Sequence, residues 1–389
     1  MSLTAMELLH LAGDASAKTP FIIIDEDRVT ENYRCIKAAF GADVNIFFAM
    51  KANNHPSVLQ AIERQGGNFD VASAGEIAQL RALGIDGSRI TFSNPVKIPG
   101  QIAFAFAEGV RLYAFDTEDE IEKLAALAPG SDVIIRLAVD NTGSGWPLAG
   151  KFGVGEDEAV RLLVKAKDSG LVPVGTTFHV GSQCENISNW EAAVRHCAGV
   201  WKKAQAEGVS LTTLNLGGGL PAPYRIGLPT LAEIGTAAQA NIKSLLPEAT
   251  RIMIEPGRFM VADAGTFVAS VICRAVRAGE KKIFLDAGLF NGLMEAYEAF
   301  WYPMRFITKA GAGEKEIVTL VGPTCDSVDV IVKDVEIPAL AVGDRVIFDI
   351  AGAYTNSYVS YNGFAFPEVR VLQGAGTASA VATEEKVTA

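Results

Sequence analysis

Between positions 44 and 260, eight short runs of apolar, β-branched or aromatic residues each end on a polar side chain or on glycine. In chain order these ends carry Lys51, Asp70, Ser93 with Asn94, Asp116, Arg136, His179 with Ser182, Gly217-Gly218-Gly219, and Glu255 with Arg258. Lys51 follows the apolar run 44–50. An amine emerging from such a wall is expected to be desolvated, to shed its proton and to attack a carbonyl. Gly217, Gly218 and Gly219 can turn backbone N–H groups toward an anion, as phosphate nests do. Arg258 adds a fixed positive charge. Glu255, in Glu255-Pro256-Gly257-Arg258, can keep a heteroaromatic nitrogen protonated, and burial there demands a partner. His179 suits stacking on a flat ring, with Ser182 offering a hydroxyl to the phosphate. Together these groups fit a flat phosphorylated cofactor held through a Schiff base.

The runs cover 44–50, 68–72, 89–92, 110–115, 133–139, 174–180, 213–216 and 251–254, and helical patterns lie between them, as at 56–65, 74–83, 102–108, 117–127 and 156–167. Eight strand–helix units are what a closed (β/α)8 barrel requires, and its strand C-termini face the active site. Spacing alone also admits an open doubly wound sheet. Beyond position 261 the texture changes to strand patterns at 266–276, 282–286, 316–321, 329–335 and 345–350 without long helices. These predict an all-β domain, a sandwich or small barrel, which 21–24 joins from the N-terminal side. The expected boundaries are 26–262 for the barrel, 1–25 with 263–375 for the β domain, and a flexible tail over 376–389.

A formal net charge of −11, with 49% hydrophobic and 20% charged residues, describes a soluble globular chain without the basic footprint of a nucleic-acid binder. No run reaches membrane-spanning length, and 1–18 has no signal-peptide pattern. Five scattered cysteines, an odd number without a CxxC pair, speak against a disulfide framework or zinc site and for a cytoplasmic setting. Four histidines without a Cys/His cluster make a metal unexpected. Cys325, in the turn Gly322-Pro323-Thr324-Cys325-Asp326, reads as an exposed, directed thiol. Cys35, Cys184, Cys197 and Cys273 read as packing residues.

In order along the chain stand Phe48-Ala49-Met50-Lys51-Ala52-Asn53, Phe69-Asp70-Val71-Ala72-Ser73, Ser93-Asn94-Pro95-Val96-Lys97, Lys151-Phe152-Gly153, Phe178-His179-Val180-Gly181-Ser182, Leu216-Gly217-Gly218-Gly219, Glu255-Pro256-Gly257-Arg258, Gly322-Pro323-Thr324-Cys325-Asp326, Gly352-Ala353-Tyr354-Thr355 and Asn362-Gly363-Phe364. Over roughly 20–367 this succession resembles the fold-type III (alanine-racemase-like) pyridoxal-phosphate decarboxylases, in the ornithine/lysine branch. The resemblance implies a barrel plus a β domain, pyridoxal 5'-phosphate as cofactor, a basic amino acid as substrate, a place in polyamine synthesis, and a homodimer with active sites at the subunit interface. It implies Lys51 as the Schiff-base lysine, His179 stacked on the ring and Glu255 on the ring nitrogen. Ser182, Gly217, Gly218, Gly219, Gly257, Arg258 and Tyr354 would hold the phosphate, and Asp70 and Arg136 would support the lysine and ring pocket. Cys325 would return a proton from the second subunit, and Asp326 would meet the substrate's distal amine. The Cys-Asp pair resembles the ornithine branch, whereas the diaminopimelate branch has Cys-Glu-Ser. One departure stands out. Relatives acting on basic amino acids carry a second acidic residue shortly before the segment matching Tyr302-Pro303. Here an ungapped match puts Tyr297 there, beside Glu298 and two residues after Glu295. A decarboxylase of another amino acid, a racemase or a non-catalytic homologue are the alternative readings.

Overall fold

A computed structural model describes residues 5–14, 16–297, 300–309, 314–357, 368–373 and 377–379. It divides into two compact units, 30–260 and 1–29 with 261–389. In chain order the strands are β1 (Phe21–Asp25), β2 (Asn45–Ala49), β3 (Asn68–Val71), β4 (Ile90–Phe92), β5 (Leu112–Phe115), β6 (Asp132–Arg136), β7 (Ser144–Trp146), β8 (Val172–Thr177), β9 (Ser182–Cys184), β10 (Thr213–Asn215) and β11 (Arg251–Ile254). They continue as β12 (Gly265–Arg277), β13 (Glu280–Leu285), β14 (Met304–Ile307), β15 (Lys315–Val321), β16 (Val330–Pro338), β17 (Arg345–Phe348), β18 (Glu368–Gln373) and β19 (Thr377–Ser379).

In the first unit β10-β11-β2-β3-β4-β5-β6-β8 closes into a parallel barrel, and the open-sheet alternative is set aside. Its strands are apolar on both faces because the interior takes one face and the surrounding helices the other. Phe47, Leu112, Ala114, Ile134 and Met253, from β2, β5, β6 and β11, form one buried cluster. Short polar caps start the helices at fixed points. His55 caps the helix Pro56–Arg64, Ser73 caps Ala74–Ala82, Thr117 caps Glu118–Leu127, and Thr230 with Glu233 forms a capping box on Leu231–Leu245. Each cap satisfies N–H groups that the first helical turn leaves without partners. β7 and β9 form a separate antiparallel pair, absent from the sequence expectation.

The second unit is a nine-stranded sheet running β16-β15-β13-β12-β1-β18-β19, with β17 pairing β12 and β14. It is one hydrogen-bonded network. The cause lies in the long β12, whose first half pairs with β1 and β17 and whose second half, past an irregularity at Val271/Cys273, pairs with β13. That shift exposes Cys273, and Cys35 is exposed on the helix Glu26–Phe40. Both therefore depart from the packing role expected of them, while Cys184 and Cys197 are buried. The expected flexible tail needs a second correction. Thr377–Ser379 is strand β19, because the edge of β18 offers it antiparallel partners at Val371–Gln373. The rest of 376–389 lies outside the described residues, as does Asn362-Gly363-Phe364.

Candidate active site

The barrel brings the strand-end residues into one polar cluster. β2 ends at Ala49 and the chain turns at once into the 3-10 helix Met50–Ala52. Met50 and Ala52 face inward and are buried, whereas Lys51 is exposed. The expected desolvation by surrounding protein is not what sets this amine's environment. The turn lifts it off the apolar wall, and its electrostatic neighbours are Asp70, Glu76 and His179.

Opposite charges fill the centre. Burial and the Glu255 carboxylate push Asp70 well above the ordinary carboxylate range, and Lys51 pulls it back. Burial also raises Glu76, whose Oε2 accepts the Ala72 N–H at 2.6 Å. Glu255, at the end of β11 and 6% exposed, accepts Ser93 Oγ at 2.5 Å and Asn215 Nδ2 at 2.6 Å, both on Oε1. These are the partners that a buried carboxylate requires. Burial pulls Arg136 below the usual arginine range, against the upward influence of Glu255, Asp116 and Asp70; a guanidinium remains a cation there. Asp116 fixes the Lys151-Phe152-Gly153 loop by accepting the Gly153 N–H at 2.8 Å.

His179 is held neutral: burial first, then Arg136 and Lys51, drive its pKa well below the ordinary histidine value. Its Nδ1 accepts the Gly181 N–H at 3.0 Å. An accepting Nδ1 on a neutral ring puts the proton on Nε2.

The glycines form a cradle that a side chain would fill. A Cβ on Gly218 would lie 2.7 Å from the Glu255 carbonyl oxygen and 3.0 Å from His179 Nε2, and Gly217 and Gly219 adopt φ of +65° and +105°. Only glycine meets both conditions comfortably. Asn215, fully buried, links the cradle to the carboxylate: its Oδ1 accepts the Gly217 N–H at 2.9 Å while its Nδ2 serves Glu255. Arg258, 5% exposed and directly after the buried Gly257, donates from Nε to Ser182 Oγ at 3.1 Å and from Nη1 to Tyr224 OH at 3.2 Å. A buried cation beside glycine N–H groups, a buried carboxylate and a neutral imidazole fit a phosphorylated pyridine.

The remaining expected residues belong to the second unit. Cys325 is exposed and Asp326 partly buried in a turn organised by Asp329. The Asp329 carboxylate, 2% exposed, accepts Leu289 N at 2.7 Å, Thr324 N at 3.1 Å and Thr324 Oγ1 at 2.7 Å. Tyr354 has φ of +58°, and Tyr297, at the end of the 3-10 helix Met294–Tyr297, is 56% exposed. Glu298 lies outside the described residues. Glu295 is buried at 4% exposure. Sequence reasoning missed Asn215, Tyr224, Glu76 and Asp329 as members of these groupings. Asn215 was within reach, since it lies in the strand run just before the glycines. No local signal marked the others. Among the described residues no group of His, Cys, Asp and Glu is placed to hold a metal, and no helix is long and apolar enough to cross a membrane.

Comparison with known proteins points to the same cofactor. Residues 26–262 match the model of the pyridoxal-dependent decarboxylase, pyridoxal binding domain. The chain is similar to lysine/ornithine decarboxylase of Selenomonas ruminantium, at 37% identity over 372 residues that cover 94% of this chain and 93% of that protein. It superposes on the crystal structure of lysine decarboxylase from Selenomonas ruminantium with a TM-score of 0.86 at 36% identity, covering 95% of this chain and 96% of that one. Lysine/ornithine decarboxylase from Vibrio vulnificus, complexed with cadaverine, superposes with a TM-score of 0.87 at 30% identity, covering 95% and 99%.

Proposed function

This chain belongs to the pyridoxal-dependent decarboxylases, in the fold-type III ornithine/lysine branch, and from that premise we propose that it decarboxylates L-lysine, L-ornithine or both. The products would be cadaverine or putrescine and CO2, as polyamine synthesis requires. The observation that carries the reading is the Glu255–Asn215–Gly217 chain of hydrogen bonds, which joins a ring-nitrogen carboxylate to a phosphate cradle. Bound pyridoxal 5'-phosphate supplies a ring that accepts the electron pair of the bond to the departing carboxylate.

The protein's own groups do the rest. Ser93 and Asn215 hold Glu255 through Oε1, and the carboxylate would keep the cofactor's ring nitrogen protonated. A neutral His179 presents a flat face without a charge that would oppose that proton. Lys51 would hold the cofactor through its aldehyde. Asp70 and Arg136 shape the ring pocket, and Asp70 faces the lysine's charge. Ser182, Gly217, Gly218, Gly219, Gly257, Arg258 and Tyr354 take the phosphate. Cys325 returns a proton to Cα as general acid, and Asp326 pairs with the distal ammonium. We assign both to the second subunit of a homodimer. We assign Tyr297 and Glu298 to reading the substrate's far end. Cytoplasmic residence accords with five scattered cysteines that form no CxxC pair.

Two measurements test this. Lys51→Ala should abolish the visible absorbance of bound cofactor; unchanged colour would overturn the assignment. CO2 release across ornithine, lysine, arginine, diaminopimelate and neutral or acidic amino acids should favour the first two. Activity confined to non-basic members would instead assign the Tyr297 departure to a different substrate.

A further inference from the structure

Arg258 is bracketed by two hydroxyls, and only one of them, on Ser182, has a role in the reading above. The other is the Tyr224 phenol, at 3.2 Å from Nη1, with its ring centroid 5.8 Å from the guanidinium carbon. The two hydroxyls share one platform. Gln183, adjacent to Ser182, makes a two-way amide pair with Ala222, donating from Nε2 to its carbonyl at 2.5 Å and accepting its N–H on Oε1 at 2.8 Å. Gln183 is buried and takes φ of +56°, a conformation few side chains adopt without such a tie. Tyr224 N then closes onto the Ala222 carbonyl at 2.8 Å. Next to it, Arg225 pairs with Glu185 one residue past β9, Nε to Oε1 at 2.9 Å. The loop 220–225 is thus tied at several points to the strand that carries Ser182.

Donor direction gives this arrangement its meaning. A guanidinium only donates, so each hydroxyl oxygen facing it is an acceptor there. Neither hydroxyl therefore donates to Arg258, and the O–H proton of each needs an acceptor elsewhere. The glycine cradle is tied to the same strand, since Gly219 O accepts the Cys184 N–H at 2.9 Å. We propose that Tyr224 is a further phosphate-site residue, donating its phenolic proton to the phosphate of bound pyridoxal phosphate. The inference rests on the cofactor reading and extends it by one residue.

The test compares pyridoxal 5'-phosphate with pyridoxal, which has the same ring and aldehyde and no phosphate. Affinities of both for wild-type and Tyr224→Phe apoprotein are measured by absorbance titration, with the 31P chemical shift of the bound phosphate as a second readout. Loss of one hydrogen bond to a charged group should weaken pyridoxal phosphate about ten-fold or more, move the 31P signal and leave pyridoxal affinity unchanged. Unchanged pyridoxal phosphate affinity, or equal weakening of both ligands, would overturn the role of Tyr224. Wild-type protein that binds the two ligands equally well would overturn the phosphate clamp itself, and Tyr224 with it.

Discussion

Replacing Asn215 separates two roles that one buried amide performs. Asn215→Ala removes the donor to Glu255 Oε1 at 2.6 Å and the acceptor for Gly217 N–H at 2.9 Å, in a side chain with no solvent exposure. A hydrogen bond to a charged group contributes about 1.5–3 kcal/mol, and a buried N–H left without a partner costs about 1–3 kcal/mol. Their combination, about 4 kcal/mol, is a large share of ordinary domain stability. For a unit the size of this barrel it corresponds to a drop in apoprotein melting temperature of roughly 8–16 °C. Asn215→Asp keeps the acceptor for Gly217 and turns the donor into an oxygen facing Glu255. Like-charged oxygens at that distance repel, so this variant should be the worse of the two at neutral pH and recover as the pH falls toward the carboxylate range. Differential scanning calorimetry of both apoproteins between pH 5 and 8 provides the check. An Ala variant within 1 °C of wild type, or an Asp variant insensitive to pH, would refute the reasoning.

Two further perturbations follow from the same neighbourhood and its foundations. Gly218→Ala places a methyl 2.7 Å from the Glu255 carbonyl oxygen and 3.0 Å from His179 Nε2; pyridoxal phosphate affinity should fall at least ten-fold while the far-UV circular dichroism stays unchanged. His55, 9% exposed and accepting from Ser57 on Nδ1, is pushed down to about 4 by burial. A lowered folded-state pKa stabilises above the unfolded value of 6.5 and loses that contribution as pH falls toward 4, about 3 kcal/mol in all. An NMR titration that found this ring charging near 6.5 would contradict it.

What the sequence disclosed depended on the range of the signal. The barrel strands and their polar ends were legible because each is a short apolar run closed by one distinctive residue, a pattern local to a few positions. The glycine cradle and Glu255-Pro256-Gly257-Arg258 were legible for the same reason. What joins them was not. Ser93 meets Glu255 across 162 positions and Gln183 meets Ala222 across 39, and no local pattern encodes a partner that far away. Lys51 was placed at its strand end correctly and its surroundings wrongly, because the single 3-10 turn that raises it carries no propensity signal. β19 was taken for tail because Thr377-Ala378-Ser379 has no core-facing alternation; its backbone pairs with β18.

The pairing of β1 has a consequence for synthesis. Phe21-Ile22-Ile23-Ile24 binds Gly265–Val268 on one side and Glu368–Val371 on the other. At translation rates of about 5–20 residues per second, this segment waits roughly 12–50 s on the ribosome's timescale for its first partner strand. A nascent stretch of four consecutive large apolar residues is the kind that seeks foreign edges. A chaperone that shields this emerging segment should therefore change the yield of soluble protein more than the stability of the finished molecule.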